Sequence, residues 1–532
     1  MKKILLSVVA TTAFVFGAAA QPEATYNYLD KTYTLKADGS TELRVRSSLT
    51  YNTMSSFFSM FGETFIEYNP EFQRLTINEC YTRQVDGTVI QAPANAFNEV
   101  LPRHSADAPA YNHLKEMVVT HTGLELGATA FLDYTITSSA DMLGGELDFT
   151  EVVSQYARDV RKMTVTVNLP EGKTLRYGVV GADGKCAGER SLTGSHTWTW
   201  NKVKPFFREA GAPKYLGKIR LYATTLPSTA DVTGRVFYDT RDMYRVDPKR
   251  TEGKQGEQLL NAVCDYVRKM VDLKDIPASL VGYRHAPART VDARCYGSTL
   301  DKAFMLNKAL LGEGFECDIL LNYPADCPVY NLSGFDNVLV KTEVDGKAIW
   351  LEANGDKAAP VERWADRNVM VSMVTMAPVE VEHKGEVANI NVEVTVDAEG
   401  NGVAKDEQTT RKFWLGKEVE GVRTLNIPSF GYTFSNFAAV RTEPFELYNT
   451  IDHSEVYTVT LEKGEFATRS SRESVSNAVG SASWEVAVNG NKATITHTLR
   501  VDKNIVWPSE WKQMRELLVL HNSTAALKML VK

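Results

Sequence analysis

The 532-residue chain lacks a block of like charge. Its 59 Lys and Arg are spread among 66 Asp and Glu, giving a net charge of −7. A mildly acidic chain without a basic stripe has no electrostatic footprint for nucleic acid. Cysteine is scarce, six residues in all, and no two stand as Cys-x-x-Cys, which excludes a zinc ribbon and a thioredoxin-type motif. Several chemical signatures are missing too: His-Glu-x-x-His, Gly-x-Ser-x-Gly, a P-loop and a strand-coupled Gly-x-Gly-x-x-Gly. The nine His residues are scattered and no two are four apart, so no helical metal pair is offered. The acidic residues show no calcium-loop spacing. No cofactor and no metal are expected on these grounds.

Long apolar runs are also absent, with one exception. Lys2 and Lys3 precede an apolar stretch from Ile4 to about Gly17, and Ala18-Ala-Ala20 follows. That pattern predicts a cleavable signal peptide over residues 1–20; the run is too short to span a bilayer. No transmembrane anchor is expected in the mature chain, whose net charge becomes −9. Export to a periplasm, or secretion, is the expected localisation. Such a compartment permits disulfides. Cys80, Cys186, Cys264, Cys295, Cys317 and Cys327 could pair in 15 ways, or remain buried free thiols.

What the chain does have is a globular composition, 43% hydrophobic and 23% charged, which rules out wholesale disorder. Its length predicts three or four domains. Alternating runs at Thr32–Leu35, Glu42–Thr50, Arg74–Ile77, Met117–Thr120, Ala130–Ile136 and Met163–Asn168 predict strands. Turn pairs Asp38-Gly39 and Asp86-Gly87 separate some of them. Residues 21–245 are therefore expected to form an N-terminal antiparallel β-sandwich region, one large sandwich or two packed subdomains. The stretch Pro205–Pro213 reads as a transition segment.

The pattern then changes. Leu259, Leu260, Val263, Cys264, Val267, Met270 and Val271 recur at helical spacing, predicting a helix over Glu257–Val271. A loop is expected from Lys274 to Tyr296. Ser298 and Asp301 fit a capping arrangement opening a second helix that runs to about Leu311. Strands follow at Asp318–Leu321, Phe335–Val344 and Lys347–Glu352, the last two joined by Asp345-Gly346. Residues 246–383 thus read as an α+β core. From 384 to 532 strands return, including Val387–Val396, Val456–Leu461 and Lys492–Leu499, with a partly helical end over Glu510–Met529. The fold class expected is a multi-domain α+β chain, its C-terminal domain mainly β.

One stretch is distinctive by order and spacing: Tyr296-Gly-Ser-Thr-Leu-Asp-Lys-Ala-Phe-Met-Leu306, then Phe335-Asp-Asn-Val338, then Trp350-Leu-Glu-Ala-Asn354. It resembles the transglutaminase-like family, which shares the papain-like cysteine-protease arrangement. The family's Cys, His and Asp positions fall on Thr299, Asn337 and Glu352, while Gly297, Asp301, Lys302, Ala303, Leu306, Phe335, Val338, Trp350 and Leu351 keep the frame. The resemblance implies a transglutaminase-like core whose catalytic triad is degenerate. The N-terminal half, through Glu67-Tyr-Asn-Pro-Glu71, Val85-Asp-Gly87, Ala108-Pro-Ala-Tyr111 and Gly123-Leu-Glu-Leu-Gly-Ala128, resembles a β-rich module of unknown function. That module precedes such cores in many Bacteroidetes exported proteins. The C-terminal domain resembles the β module that often follows.

If Asp345 and Gly346 are the two loop residues of a hairpin, Val344 faces Lys347, Leu339 faces Glu352 and Asn337 faces Asn354. Asn337 and Glu352 then project from one face as diagonal neighbours, roughly 7 Å apart. A hydrogen-bonded Thr299–Asn337–Glu352 set is expected, and Thr299 could cap its helix. Such a set is inert. The chemistry needs a thiolate beside an imidazole, and losing triad members costs on the order of 10⁴–10⁶ in turnover.

Three functions follow. The first is a non-catalytic scaffold that binds a peptide, glycan or protein. The second is an active cysteine peptidase, amidase or transglutaminase-type acyltransferase using Cys295, four residues before Thr299, with His285 as its base. A separate third reading is a pure carbohydrate-binding protein, since β-sandwiches with exposed Trp and Tyr often serve that role.

Overall fold

The computed structural model describes residues 22–236, 244–353, 368–379, 386–431, 433–434, 438–447 and 449–532. The apolar N-terminal run and Asn354, with its expected partnership to Asn337, lie outside them. The molecule is multi-domain and strand-rich, built from several sheets.

In the N-terminal region the expected strands form. A seven-stranded sheet takes the order Ser195–Val203, Arg158–Asn168, Ala24–Leu35, Thr41–Tyr51, Thr129–Ser138, Gln73–Arg83, Val89–Gln91. A four-stranded sheet, Arg190–Thr193, Thr174–Val180, Arg220–Thr224, Asp148–Val152, lies against it. Leu29, Val45, Met163 and Val165 from the first sheet meet Phe149, Leu175 and Leu221 from the second in one buried cluster. Alternation along each strand supplies that apolar face.

The sandwich is mixed rather than antiparallel, which corrects the expectation. Ala24–Leu35 pairs in parallel with Arg158–Asn168, from Ala24 against Arg158 to Thr34 against Asn168. Strand direction depends on how the chain returns, and more than a hundred residues separate these two strands.

In the central region, helices Gly256–Met270 and Thr299–Gly312 appear where helical spacing and capping placed them. Ser298 is the N-cap. Its hydroxyl accepts from Asp301 N, and the Asp301 carboxylate accepts from Ser298 N, completing a capping box. The cap is thus Ser298 and not Thr299, which opens the helix. A further helix, Ala288–Arg294, occupies the expected loop; one buried Val in seven residues leaves no periodic signal.

An antiparallel five-stranded sheet takes the order Lys347–Glu352, Asn337–Val344, Cys317–Pro324, Asn368–Ser372, Pro378–Val379. The helix Thr299–Gly312 lies across one face of it. Leu300, Ala303 and Phe304 cluster with Ile319, Leu321 and Val338. Met305, Leu306 and Leu310 cluster with Val340, Val344 and Leu351.

In the C-terminal domain, a seven-stranded sheet is centred on Glu386–Val396, Ile451–Leu461, Lys492–Val501 and Gly480–Asn489, the first two again parallel. The helix Trp511–His521 buries Trp511, Met514, Leu517 and Leu518 against Val479, Ala482 and Leu499. It ends at His521. Lys528–Val531, expected to be partly helical, pairs as a strand with Arg423–Asn426. No helix among the described residues is long and apolar enough to cross a membrane. All six cysteines carry free thiols.

Candidate functional site

The hairpin fixes the geometry. Asp345 and Gly346 both have positive φ, 50° and 75°, as a two-residue type I′ turn demands. Val344 pairs with Lys347, and Leu339 with Glu352, which is the register read from the sequence. Asn337 and Glu352 meet: Asn337 Nδ2 donates to Glu352 Oε1 at 3.4 Å. Val338 N donates to Asn337 Oδ1 at 2.8 Å, which turns the amide nitrogen toward the carboxylate.

Their face is not the helix face. Val338, Val340 and Leu351 point to the helix. The alternate residues Leu339 and Trp350 join Leu320 and Met370 in a separate cluster on the other side. Asn337 and Glu352 share the parity of that second set. They open into a cavity of about 410 Å³ whose lining does not include Thr299. The expected three-residue set is therefore two residues. Thr299 starts the helix stacked on the opposite face, because strand alternation, invisible in a motif match, decides which way each position looks.

The cavity draws on all three regions. Pro213, Lys214, Tyr215 and Leu216 come from the N-terminal region, Asn322, Asp336 and Asn368 from the central sheet, and Glu446 and Ile505 from the C-terminal domain. Lys214 forms an ion pair with Asp336, and Tyr215 Oη donates to the same Asp336 oxygen at 3.1 Å. Burial would pull the Lys214 ammonium down, but its hydrogen bonds to Asp336 and Tyr215 outweigh that and hold it above the usual lysine value. Burial, then the Asp336 charge, pushes the Tyr215 hydroxyl up. On the same rim the buried Arg220 pairs with Asp326 and donates to Tyr222 Oη at 2.6 Å.

Asn322 faces Asn337 across the sheet, and its buried Oδ1 has no hydrogen-bond partner among the described residues. The approach to Asn337 is held by the N-terminal sandwich. Asp148 accepts from Leu332 N at 3.0 Å and Ser333 N at 2.8 Å, and Asn331 Nδ2 donates to Phe149 O at 3.1 Å. Gly334 fits here because a Cβ would lie 2.2 Å from Asn331 Oδ1.

Cys295 and His285 sit in different local settings. Cys295 is exposed, ends the helix Ala288–Arg294 with φ 59°, and points its Sγ at Asp292 O, 3.4 Å away. A helix C-terminus offers carbonyls, the wrong end for holding a thiolate. It lines a different pocket, with Arg268 and Lys302. The His285 ring stacks on Phe304 at 3.7 Å, with Nδ1 3.1 Å from Ala286 O.

Lys214, Tyr215, Asp336 and Asn322 escaped the sequence reading. Asn322 did carry a signal: it is a lone carboxamide inside the apolar run Ile319-Leu-Leu-Asn-Tyr323. Lys214 and Tyr215 follow the transition segment and carry none, since only folding delivers them to a sheet more than a hundred residues away.

Comparison with known proteins adds three findings. Residues 37–207 match DUF3857, a domain of unknown function with a solved structure, and residues 426–531 match DUF3858, described in the same way. No curated protein matches the chain. A crystal structure from Parabacteroides distasonis, described as a putative protease, superposes with a TM-score of 0.77 at 30% identity, covering 96% of this chain and 100% of that one.

Proposed function

Because the chain belongs to the same family as the Parabacteroides distasonis protein, with DUF3857 at residues 37–207 and DUF3858 at 426–531, we propose that it is an exported, non-catalytic scaffold. Its central region is a degenerate transglutaminase-like core that binds a ligand at the Asn337–Glu352 cavity. The observation that carries this reading is the cavity lining itself, which among the described residues holds no Cys and no His. Acyl transfer through a covalent intermediate has no nucleophile–base pair there.

The lining suits binding instead. Three carboxamides, Asn322, Asn337 and Asn368, offer both donors and acceptors to amide groups. Four carboxylates, Asp326, Asp336, Glu352 and Glu446, stand against two cations, Lys214 and the adjoining Arg220, which favours a cationic peptide over an anionic ligand. Titration of the purified protein with Lys- and Arg-containing peptides tests this. Binding that Glu352→Gln and Asn337→Ala both weaken at least tenfold supports it. Binding confined to neutral oligosaccharides shifts the ligand class to glycans.

The relative's description as a protease favours a second reading, an active peptidase; the transglutaminase-like resemblance would make it a cysteine peptidase, with Cys295 as the candidate nucleophile. Hydrolysis of a peptide substrate that disappears in Cys295→Ala would establish it and end the scaffold reading. Export is tested separately: the mature chain is expected to begin at Gln21 when expressed with its natural N-terminus.

A further inference from the structure

The C-terminal domain contains a constellation with no link to the Asn337–Glu352 cavity. Glu455 and His497 are direct cross-strand partners on neighbouring strands of the seven-stranded sheet, Ile451–Leu461 and Lys492–Val501. Residues paired in this way project from the same face with Cβ atoms about 5 Å apart. The helix Trp511–His521 packs over this sheet, and its last residue, His521, descends onto the same spot. The two imidazole rings are 6.0 Å apart, centroid to centroid. One ligand atom from each of Glu455, His497 and His521 lies within 4.8 Å of the others. All three residues are buried, at 4%, 5% and 7% exposure.

Three polar side chains converging in an apolar domain need a reason. Two further observations point to a ligand between them. His497 Nε2 is buried and has no hydrogen-bond partner among the described residues. The Glu455 carboxylate, in contrast, is held from behind. Tyr457 Oη donates to Glu455 Oε2 at 3.0 Å, and itself accepts from Phe430 N at 2.9 Å. Such an outer hydrogen bond orients a metal-binding carboxylate. The next residue in the loop is Gly431, where a Cβ would lie 1.6 Å from Glu455 Oε1. The backbone closes directly over the carboxylate, and only glycine lets it do so. On the other side the His521 ring meets Phe434 edge-on at 6.2 Å, and Asn522 Nδ2 donates to Phe434 O at 2.7 Å.

We propose that Glu455, His497 and His521 bind one divalent first-row transition cation of the zinc class, clamping the C-terminal helix to its sheet. One carboxylate oxygen and two imidazole nitrogens are a donor set for zinc, cobalt or nickel, and a poor one for calcium or magnesium, which take oxygen. At metal–ligand distances of about 2.0–2.2 Å, tetrahedral donors stand roughly 3.4 Å apart. The present spacing, at most 4.8 Å, therefore closes by no more than about 1.4 Å through side-chain rotation. Burial on all sides makes this a structural ion taken up with folding rather than an exchanging catalytic one. The sequence offers no spacing signal for the site: the three ligands are 42 and 24 residues apart, and the tertiary fold alone assembles them.

The test uses the whole mature chain, stripped of metal by unfolding in chelator and refolded in metal-free buffer. Cobalt(II) is then added alone. One equivalent is expected to bind with the intense visible d–d absorption of a four-coordinate nitrogen–oxygen site, the three side chains plus one water, and zinc is expected to displace it and raise the melting temperature. His497→Gln and His521→Gln should each weaken cobalt binding at least tenfold and abolish the zinc-induced rise. If a variant does not fold, the wild-type spectrum and metal stoichiometry still decide. No stoichiometric cobalt spectrum in the refolded wild type, or an undiminished zinc effect in folded His497→Gln, overturns the proposal.

Discussion

Tyr111 donates its hydroxyl hydrogen to the Asp301 carboxylate, joining a short 3₁₀ turn of the N-terminal region to the first turn of the central helix. Asp301 is 2% exposed and has several partners at once. Arg294 Nη2 donates to it at 2.6 Å, Ser298 N at 2.9 Å and Ala286 N at 2.5 Å. A residue that a motif match would place beside a catalytic thiol is here a structural hub. Removing one partner from a buried ion pair leaves the other uncompensated, at about 3–5 kcal/mol. Asp301→Ala is expected to lose stability on that scale, and Tyr111→Phe about 1.5–3 kcal/mol, since its hydroxyl donates to Asp301 and accepts from Arg294, both charged. Urea unfolding midpoints of the two variants and their double mutant measure both; additivity in the double mutant would contradict a shared network.

Restoring the family's residues should not restore its chemistry. Thr299 opens a helix on one face of the sheet, and Asn337 belongs to the other face with Leu339 and Trp350. The double variant Thr299→Cys, Asn337→His is expected to show ordinary alkylation by iodoacetamide and no acyl transfer to amine donors. Burst-phase labelling of the introduced thiol at neutral pH would show that the two positions do meet.

Thiol exposure makes a second chemical prediction. Cys186 and Cys295 are exposed, whereas burial pushes Cys80 and Cys317 up to about 11 and Cys264 and Cys327 up to about 12. Mass spectrometry after brief alkylation at pH 8 should find two labels on the native chain and six after denaturation without reductant. Fewer than six in the unreduced denatured chain would reveal a disulfide.

Acid should weaken the N-terminal region through His121. Burial lowers its pKa to about 4 from an ordinary value near 6.5, and its Nε2 stands 2.9 Å from Thr64 Oγ1. The folded state therefore keeps the ring neutral while the unfolded chain takes up a proton. Its contribution is whole above pH 6.5 and is lost as pH falls toward 4, by about 3 kcal/mol in total. His121→Gln should lower stability at pH 7.5 yet remove its share of the slope between pH 6.5 and 4. Parallel denaturation profiles for variant and wild type would rule the mechanism out.

The turn at Asp345-Gly346 holds the register on which the cavity depends. Gly346 sits at φ 75°, and a Cβ added there would meet nothing within 4 Å, so any cost of Gly346→Val is backbone strain and not crowding. About 1–2 kcal/mol is expected. Loss of ligand binding along with stability would tie the hairpin to the site, while unchanged binding would separate them.

Local chemistry was written plainly in the amino-acid order. Ser298 and Asp301 announce a capped helix, Asp345-Gly346 a type I′ hairpin, and from that turn alone follows the pairing of Leu339 with Glu352. These features act over a few residues, so neighbours in sequence suffice to specify them. Three other facts were decided by tertiary structure. The parallel pairing of Ala24–Leu35 with Arg158–Asn168 depends on the path of the chain between them. The side of the sheet that the central helix covers depends on packing, and it parts Thr299 from Asn337 and Glu352. The meeting of Glu455 and His497 with His521 depends on a helix docking onto two strands. In each case the partners are distant along the chain, and burial of apolar surface, which has no direction of its own, is what brings them together.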